Sequence, residues 1–304
     1  MTQQLERHRE ARLAGQRMEV SGQDAAAALG QNAVKSAYQL WAEKRGLIQD
    51  EPPESERMNF ARIMEDVIAN QYAMTRGARL HRGNPVQRHS RYPWMVANID
   101  RTIEGERRGL EVRNVDLVAP DLGDWGEPGS GMIPVECTLQ VCHDMAVTGY
   151  PAWDVAVCIG GNRLQVYAIE RDLELEQMLI EGEHEFWQCV ESGREPDFSY
   201  DSPQAQSLLQ KLYPHTDGST VALDDTIQYW HEVKGDAQKQ AMTYQAVADT
   251  ADAHILKALG SASVGTLPFG GEYRRAETTR EAYTVQAQRG VECRFVAAGS
   301  KHSE

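Results

Sequence analysis

Residues 153–170 contain the pattern that most restricts the fold of this chain. The segment "WDVAVCI" (153–159) is almost entirely apolar, whereas "RLQVYAIE" (163–170) alternates between apolar and polar residues. A "GGN" turn lies between them, which is typical of a β-hairpin. A buried strand beside an alternating strand indicates a sheet with a covered face, and we expect helices to cover it.

The rest of the chain predicts a mixed α/β fold, a central sheet flanked by helices. The elements that we predict are two short helices within 20–46, helices at about 55–75, 136–148, 172–192 and 222–259, strands at 94–103 and 109–119, and strand pieces in "YTVQAQRG" and "ECRFVAA". The break "REPDFSYDSP" (194–203) predicts a boundary between a core of residues 1–198 and a mainly helical extension of residues 199–304. The extension could serve DNA binding, oligomerisation or partner contact.

Composition limits the class of protein. No apolar run is long enough to cross a bilayer, and the N-terminus "MTQQLERHREARLAGQR" is too polar for a signal peptide, so we expect a cytoplasmic protein. The five scattered cysteines are then expected to be reduced core residues, and "CTLQVCH" (137–143) lacks the second paired cluster of a zinc site. A net charge of −14 argues against indiscriminate coating of nucleic acid.

Three acidic residues form a candidate metal site. Asp100 and Glu111 lie on the two short apolar stretches 94–103 and 109–119, joined by the turn "EGERRG". On the predicted helix 55–75, Glu65 shares a face with apolar residues, whereas its neighbour Asp66 is expected to point to water. An inward acid is costly without a compensating partner, although an ordinary residue at the edge of the apolar face would give the same spacing. Such hard oxygen ligands suit Mg²⁺ or Mn²⁺.

A basic segment lies between two of these acids. The stretch "TRGARLHRGNPVQRHSR" (75–91) has no acidic residue. Its arginines, which are candidates for contact with a DNA backbone, are Arg76, Arg79, Arg82, Arg88 and Arg91. A solvated loop is the alternative interpretation.

From residue 18 to about 198, the chain resembles the YqaJ-like viral recombinase family, the phage exonucleases related to lambda exonuclease. The matching segments, in order, are "GQDAAAALG", "SAYQLWAEKRGL", "MEDVIANQYA", "MVANIDRTI", "GLEVRN", "QVCHDMAVTGYPAWDVAVCIGG" and "RDLELEQMLIEGEHEFWQCVESGREP". The resemblance implies a restriction-endonuclease-like core with a PD-(D/E)xK metal site. It also implies that Glu65, Asp100, Glu111 and the carbonyl of Val112 bind the metal, and that Gln140 lies on the helix beside the site.

Two residues depart from the family pattern inside this site. Arg113 stands where the family has a lysine, and Asp144 stands where it has the tyrosine of a Q-x-x-x-Y motif. Arginine stays protonated and cannot be a general base, but its planar donors suit phosphate oxygens. We expect a reduced rate of hydrolysis, and we expect Asp144 either to repel DNA or to pair with Arg113.

The sequence therefore supports three functional hypotheses. The first is a Mg²⁺- or Mn²⁺-dependent 5′→3′ exonuclease on linear double-stranded DNA ends in phage-type recombination, with Glu65, Asp100, Glu111, Arg113 and Gln140 as its catalytic residues. The second is a catalytically weakened or inactive DNA-binding or assembly protein on the same fold, and the third is an endonuclease. The resemblance further implies a homo-oligomer that acts beside a single-strand annealing recombinase, encoded by a phage or prophage in a bacterial host.

Overall fold

The structure is a computed structural model that describes residues 18–48, 56–82, 85–119 and 123–277. The described residues up to Tyr213 form one compact unit, and those from Pro214 onward form a second. The strand pieces predicted in "YTVQAQRG" and "ECRFVAA" lie outside the described residues, as does Cys293. Within the described ranges, no helix is both long enough and apolar enough to cross a membrane.

A mixed sheet forms the centre of the first unit. Its strands, in the order in which they pair, are β2 (Leu80–His81), β5 (Arg101–Ile103), β6 (Arg108–Val115), β7 (Ala152–Ile159) and β8 (Arg163–Glu170). Strands β6 and β7 are parallel, and the other neighbours are antiparallel. A smaller sheet contains β1 (Val20–Ser21), β4 (Met95–Ala97) and β3 (Gln87–Arg88). The predicted hairpin is confirmed, since β7 and β8 pair antiparallel from Ala152 opposite Glu170 to Ile159 opposite Arg163. Every residue of β7 is also buried, as predicted.

Helices cover both faces of the central sheet. They are α1 (Gly22–Ala28), α2 (Ala37–Lys44), α3 (Glu56–Arg76), α4 (Val135–Thr148), α5 (Leu173–Ser192) and α6 (Ala205–Leu212). Asp172 caps the start of α5 by accepting hydrogen bonds from two backbone N–H groups, and Gly193 ends the helix in the left-handed conformation. The predicted α/β class, a mixed sheet flanked by helices, is confirmed.

Alternation along β6 divides the interior into two cores. Leu110 and Val112 pack with Ile68 and Tyr72 of α3 on one face of the sheet. The opposite face of β7 packs with the second core, to which helices α1, α2, α4 and α5 contribute. Side chains on successive strand residues point to opposite faces, so Glu111 and Arg113 lie on the face away from Leu110 and Val112.

The sequence-based strand at 94–103 is wrong as a single element. Its first part, β4, pairs with β1 and β3, whereas its second part, β5, pairs with β2 and β6. The chain therefore leaves one sheet and enters another between them, and Asp100 lies at this crossing. Strand β6 also ends at Val115, before the predicted 119, because Asp116 begins a turn with its carbonyl accepting from the Ala119 N–H.

The compact first unit extends beyond the boundary predicted at residue 198. Helix α6 belongs to it, since Leu208 is buried in the core that α1 and α5 share. Division of the protein into functional domains at residues 198 and 199 stays a prediction.

The second unit contains one long helix and one hairpin. Helix α7 (Asp225–Leu259) begins after Asp224, whose side chain accepts a hydrogen bond from the Ile227 N–H. Strands β9 (Val264–Thr266) and β10 (Glu272–Arg274) pair antiparallel after it. The extension is thus mainly helical over its described part, as predicted.

Candidate functional site

Two of the predicted metal ligands meet where β5 and β6 run side by side. Asp100 immediately precedes β5, and its Oδ2 accepts a hydrogen bond of 3.0 Å from the Val112 N–H of β6. Glu111 precedes Val112 on the same strand and is only 5% exposed. This pairing brings Asp100 and Glu111 together where β5 begins beside β6.

Burial and neighbouring carboxylates raise the pKa of both residues. Burial raises the pKa of Glu111 to about 8, and the nearby charges of Asp100 and Asp144 add to this effect against the opposing charge of Arg113. Burial also raises the pKa of Asp100, opposed by the Val112 hydrogen bond and reinforced by the charge of Glu65. Buried carboxylates that repel one another favour a cation between them.

Glu65 is held by an arginine that the sequence analysis did not single out. Arg101 donates to Glu65 Oε1 at 2.7 Å and to Asp66 Oδ1 at 2.6 Å, and it is itself buried. Asp66 also accepts from Arg82 at 2.6 Å. Asp66 faces solvent as predicted, with 47% of its side chain exposed against 30% for Glu65, although its carboxylate also pairs with both arginines.

Arg113 bridges β6 and α4. Its Nε lies 3.0 Å from Glu111 Oε1 at an ion-pair distance without hydrogen-bond geometry, and its Nη2 donates to Gln140 Oε1. Burial opposes the charge of Arg113, but the carboxylate of Glu111 outweighs this effect and raises the pKa of the guanidinium. The structure thus brings Gln140 and Arg113 to the carboxylate pair, as predicted.

Asp144 lies deep in the protein rather than on a DNA-facing surface. It is 2% exposed, and its Oδ1 has no hydrogen-bond partner among the described residues. A Cβ added at Gly22 would come within 2.8 Å of this oxygen, so the carboxyl group is packed directly against the first turn of α1. Arg113 pairs with Glu111 and Gln140, although its charge also acts to lower the pKa of Asp144, and repulsion of DNA by Asp144 stays a prediction. Burial raises the pKa of Asp144 to about 7.

A fully buried ion pair lies next to Asp144 in the sequence. Both carboxylate oxygens of Glu183 lie within 2.9 Å of His143 Nδ1, and His143 Nε2 lies 3.0 Å from the carbonyl oxygen of Val96. Both partners are acceptors, so both ring nitrogens carry a proton and His143 is cationic. Burial alone would lower the pKa of His143, but Glu183 outweighs it and raises the pKa to about 9.

Most of the arginines predicted to contact DNA already have acidic neighbours. Arg76 donates to the buried carboxylate of Asp154, Arg79 lies 3.8 Å from Glu104, Arg82 pairs with Asp66, and Arg88 donates to Glu19. Arg91 stacks over the ring of Tyr92. Contact between these arginines and DNA stays a prediction.

The donor chemistry of Asp100 and Glu111 fits a hard divalent cation. Among the described residues, no group of three or more His, Cys, Asp or Glu side chains is placed to hold a metal ion. Magnesium is commonly bound through one or two carboxylates, with waters and substrate phosphate completing its shell, so a pair suffices. Glu65 would join such a site only after it releases Arg101.

Sequence reasoning missed the buried charges that surround the site, namely Arg101, His143, Asp154 and Glu183. Asp154 was visible as the one acid within an apolar strand, and His143 as a basic residue on the apolar helix α4. Their partners are distant in sequence, so their pairing became visible only in the fold. Cys137, Cys142, Cys158 and Cys189 are buried and none of them is in a disulfide, which confirms the expectation that they are core residues.

The sequence matches a family of viral recombinases. The model of the YqaJ-like viral recombinase domain matches residues 7–151, a range that contains every predicted site residue. The chain belongs to the YqaJ-like viral recombinase family.

One relative matches over most of both chains. It is the protein named "Uncharacterized protein YqaJ" of Bacillus subtilis (strain 168), which is 32% identical over 222 residues, or 71% of this chain and 68% of the relative.

Solved structures show a more distant similarity. An alkaline exonuclease, LHK-Exo, from Laribacter hongkongensis has a TM-score of 0.47 and 16% identity, covering 60% of this chain and 93% of its own. A phage-related exonuclease from Haemophilus somnus 129PT has a TM-score of 0.38 and 11% identity, with 58% and 96% covered. At this distance neither structure supports a conclusion about this chain.

Proposed function

We propose that this protein is a metal-dependent deoxyribonuclease that acts as a 5′→3′ exonuclease on linear double-stranded DNA ends in phage-type recombination. The observation that carries the proposal is the pairing of half-buried Asp100 with buried Glu111, each with a raised pKa, in a chain of the YqaJ-like viral recombinase family. Neighbouring carboxylates with raised pKa values are a common feature of catalytic centres.

Asp100 and Glu111 would hold the metal, Mg²⁺ or Mn²⁺, together with the carbonyl of Val112 and with Glu65 once Arg101 releases it. A bound Mg²⁺ would lower the pKa of a water molecule and stabilise charge on the phosphodiester. The Val112 N–H fixes Asp100, and the Gln140 side chain hydrogen-bonds to Glu111, so the backbone of β6 and helix α4 hold the two carboxylates in place.

Arg113 has an electrostatic role in this proposal. It stays protonated, so it takes no proton from the attacking water. Its Nη2, now donating to Gln140, can instead turn to a phosphate oxygen, for which a planar guanidinium is well suited. The absence of a lysine at this position should slow hydrolysis without abolishing it.

A second candidate function is supported by the same arginine. Because Arg113 already neutralises Glu111 at 3.0 Å, the site has a resident cation where a metal would bind. A protein that binds DNA without cleaving it would keep this arrangement. A third candidate, an endonuclease, uses the same centre and differs only in its substrate.

We further propose, from the family alone, that the protein forms a homo-oligomer and works beside a single-strand annealing recombinase. Its gene would then belong to a phage or prophage, and the protein would act in the cytoplasm of the bacterial host.

The test compares linear duplex DNA bearing 5′-phosphates with covalently closed circular DNA of the same sequence, in Mg²⁺ and in EDTA. The exonuclease proposal predicts metal-dependent loss of the linear DNA only, and no loss with Asp100→Ala. Cleavage of the circle would instead establish the endonuclease. Strands labelled at either end report the polarity.

The Arg113→Lys variant separates the first two candidates. If the parent digests linear DNA, we expect the variant to be faster, because lysine can orient the water and its pKa can be shifted by burial. A parent that binds linear DNA without digesting it, with activity appearing in Arg113→Lys, would establish the binding protein. Inactivity of both proteins would contradict the nuclease proposal.

A further inference from the structure

Helix α7 exposes an apolar face along its whole length. The helix has 35 residues and none of them is buried. Its exposed large side chains include Ile227, Trp230 and Tyr244, the last at 73% exposure. A continuous apolar stripe on a solvent-exposed helix indicates an interaction surface.

The stripe follows a seven-residue repeat. Its first position is occupied by Ile227, Lys234, Ala241, Ala248 and Ile255, and its fourth by Trp230, Ala237, Tyr244, Ala251 and Ala258. We call these ten residues the seam. Every seam residue except Lys234 is apolar, and every acidic residue of α7 lies off the seam. A repeat of this kind is the pattern of helices that pair with other helices in a coiled coil.

The seam complements itself in one orientation. When two copies of α7 are placed antiparallel with Ala241 opposite Tyr244, the large side chain of Ile227 faces Ala258. In the same register Ala237 faces Ala248, and Lys234 faces Ala251 and lies beside Asp252 of the second copy. Three of the five distinct layers then place a large side chain against a small one, and Trp230 faces Ile255 in a fourth, so the two helices can interdigitate over most of the seam.

Parallel pairing lacks this fit. It would place Lys234 against Lys234 and Tyr244 against Tyr244, which stacks like charges and large rings in the same layers. In the antiparallel register the opposite charges of Lys234 and Asp252 meet twice, because a two-fold axis repeats every contact.

We propose that α7 pairs antiparallel with α7 of a second copy of this chain through the seam. The surface forms a homodimer contact in the C-terminal extension, and it does not depend on whether the Asp100–Glu111 site cleaves DNA.

The first test is the sedimentation of the full-length chain with two matched substitutions. Tyr244→Lys places a charge in the seam, whereas Met242→Lys places one off the seam at a residue that is equally exposed, 74% against 73%. We expect Tyr244→Lys to raise the dissociation constant of the dimer at least about tenfold, as for loss of a central aromatic contact. Met242→Lys should leave it unchanged. A monomeric parent, or an equal effect of the two substitutions, would overturn the proposal.

The second test measures the orientation by cross-linking in a Cys293→Ser background. Ala237→Cys and Ala248→Cys chains are prepared separately and then mixed, and a short bismaleimide is added. The antiparallel register predicts cross-linked dimers in the mixture and few with either chain alone. Cross-linking of each chain with itself would indicate parallel pairing, and a mixture without cross-links would indicate a different partner. Either result would overturn the proposal.

Discussion

At the scale of single residues, the buried charge of Asp154 is compensated by three donors. Asp154 is fully buried on β7, and it accepts hydrogen bonds from Tyr72, Arg76 and Arg108. These donors come from α3 and β6, so the Asp154 carboxylate on β7 connects all three elements. A buried charge of this kind is stable only while its partners are present.

Asp154→Asn should therefore destabilise the first unit. The substitution leaves the guanidinium groups of Arg76 and Arg108 facing an uncharged side chain, and we expect a loss of about 3 kcal/mol in the free energy of unfolding. Urea denaturation followed by circular dichroism measures this loss. Asp201→Asn, at an exposed position, is the matched control, and an equal effect of both substitutions would contradict the role given to Asp154.

The buried pair of His143 and Glu183 predicts a pH dependence of stability. The pKa of His143 rises from 6.5 to about 9 in the folded protein. The pair therefore contributes its full stabilisation of the fold below pH 6.5, and this contribution is lost as the pH rises through about 9. Glu183→Gln should cost about 3 kcal/mol near pH 6 and much less near pH 10.

Denaturation of the parent and Glu183→Gln across this pH range measures the difference. Glu191→Gln, on the exposed face of the same helix, is the control. A difference between parent and variant that stays constant from acid to alkaline pH would show that His143 does not titrate in this window.

At the scale of elements, strand β6 is fitted closely to β7. Gly109 lies opposite Trp153 in the parallel register, and a Cβ at Gly109 would come within 2.4 Å of the buried indole ring. Residue 109 must be glycine because the Trp153 ring occupies the space where a Cβ would lie. The requirement comes from this contact and not from the backbone conformation of residue 109.

Gly109→Ala should displace the ring of Trp153 and lower the free energy of unfolding by about 1–3 kcal/mol, the usual effect of overpacking. Tryptophan fluorescence during denaturation reports both the displacement and the stability. Gly123→Ala, where nothing lies within 4 Å of the added atom, is the control. Unchanged stability of Gly109→Ala would contradict this packing.

Local signals predicted the helices well and the sheets less well. Helix α5 was predictable at both ends because Asp172 caps it and Gly193 terminates it, and Gly149 ends α4 in the same way. The parallel pairing of β6 with β7, and the division of 94–103 between two sheets, depend on contacts between distant residues. No local pattern encodes those contacts.

At the scale of the whole molecule, the fold assembles a candidate site from separate segments. Asp100 and Glu111 were predicted to meet, and they do, because they lie on either side of one tight connection. The arginines were not predictable in the same way. Arg101 follows Asp100 directly, yet only the packing of α3 against the sheet shows that it binds Glu65 and Asp66. The sequence therefore identified the carboxylates and Arg113 but missed Arg101, which holds Glu65 and Asp66.

The most direct test of the proposed nuclease site is the rate of nucleotide release from linear, 5′-phosphorylated duplex DNA in Mg²⁺. The rate is measured for the parent, Glu111→Gln and Glu191→Gln. Glu111 is buried in the candidate site and Glu191 is exposed on α5. We expect release by the parent and by Glu191→Gln that stops in EDTA, and a rate at least about a hundredfold lower for Glu111→Gln, the scale of a lost catalytic group. Release that persists in Glu111→Gln, or that is indifferent to EDTA, would contradict the proposed site.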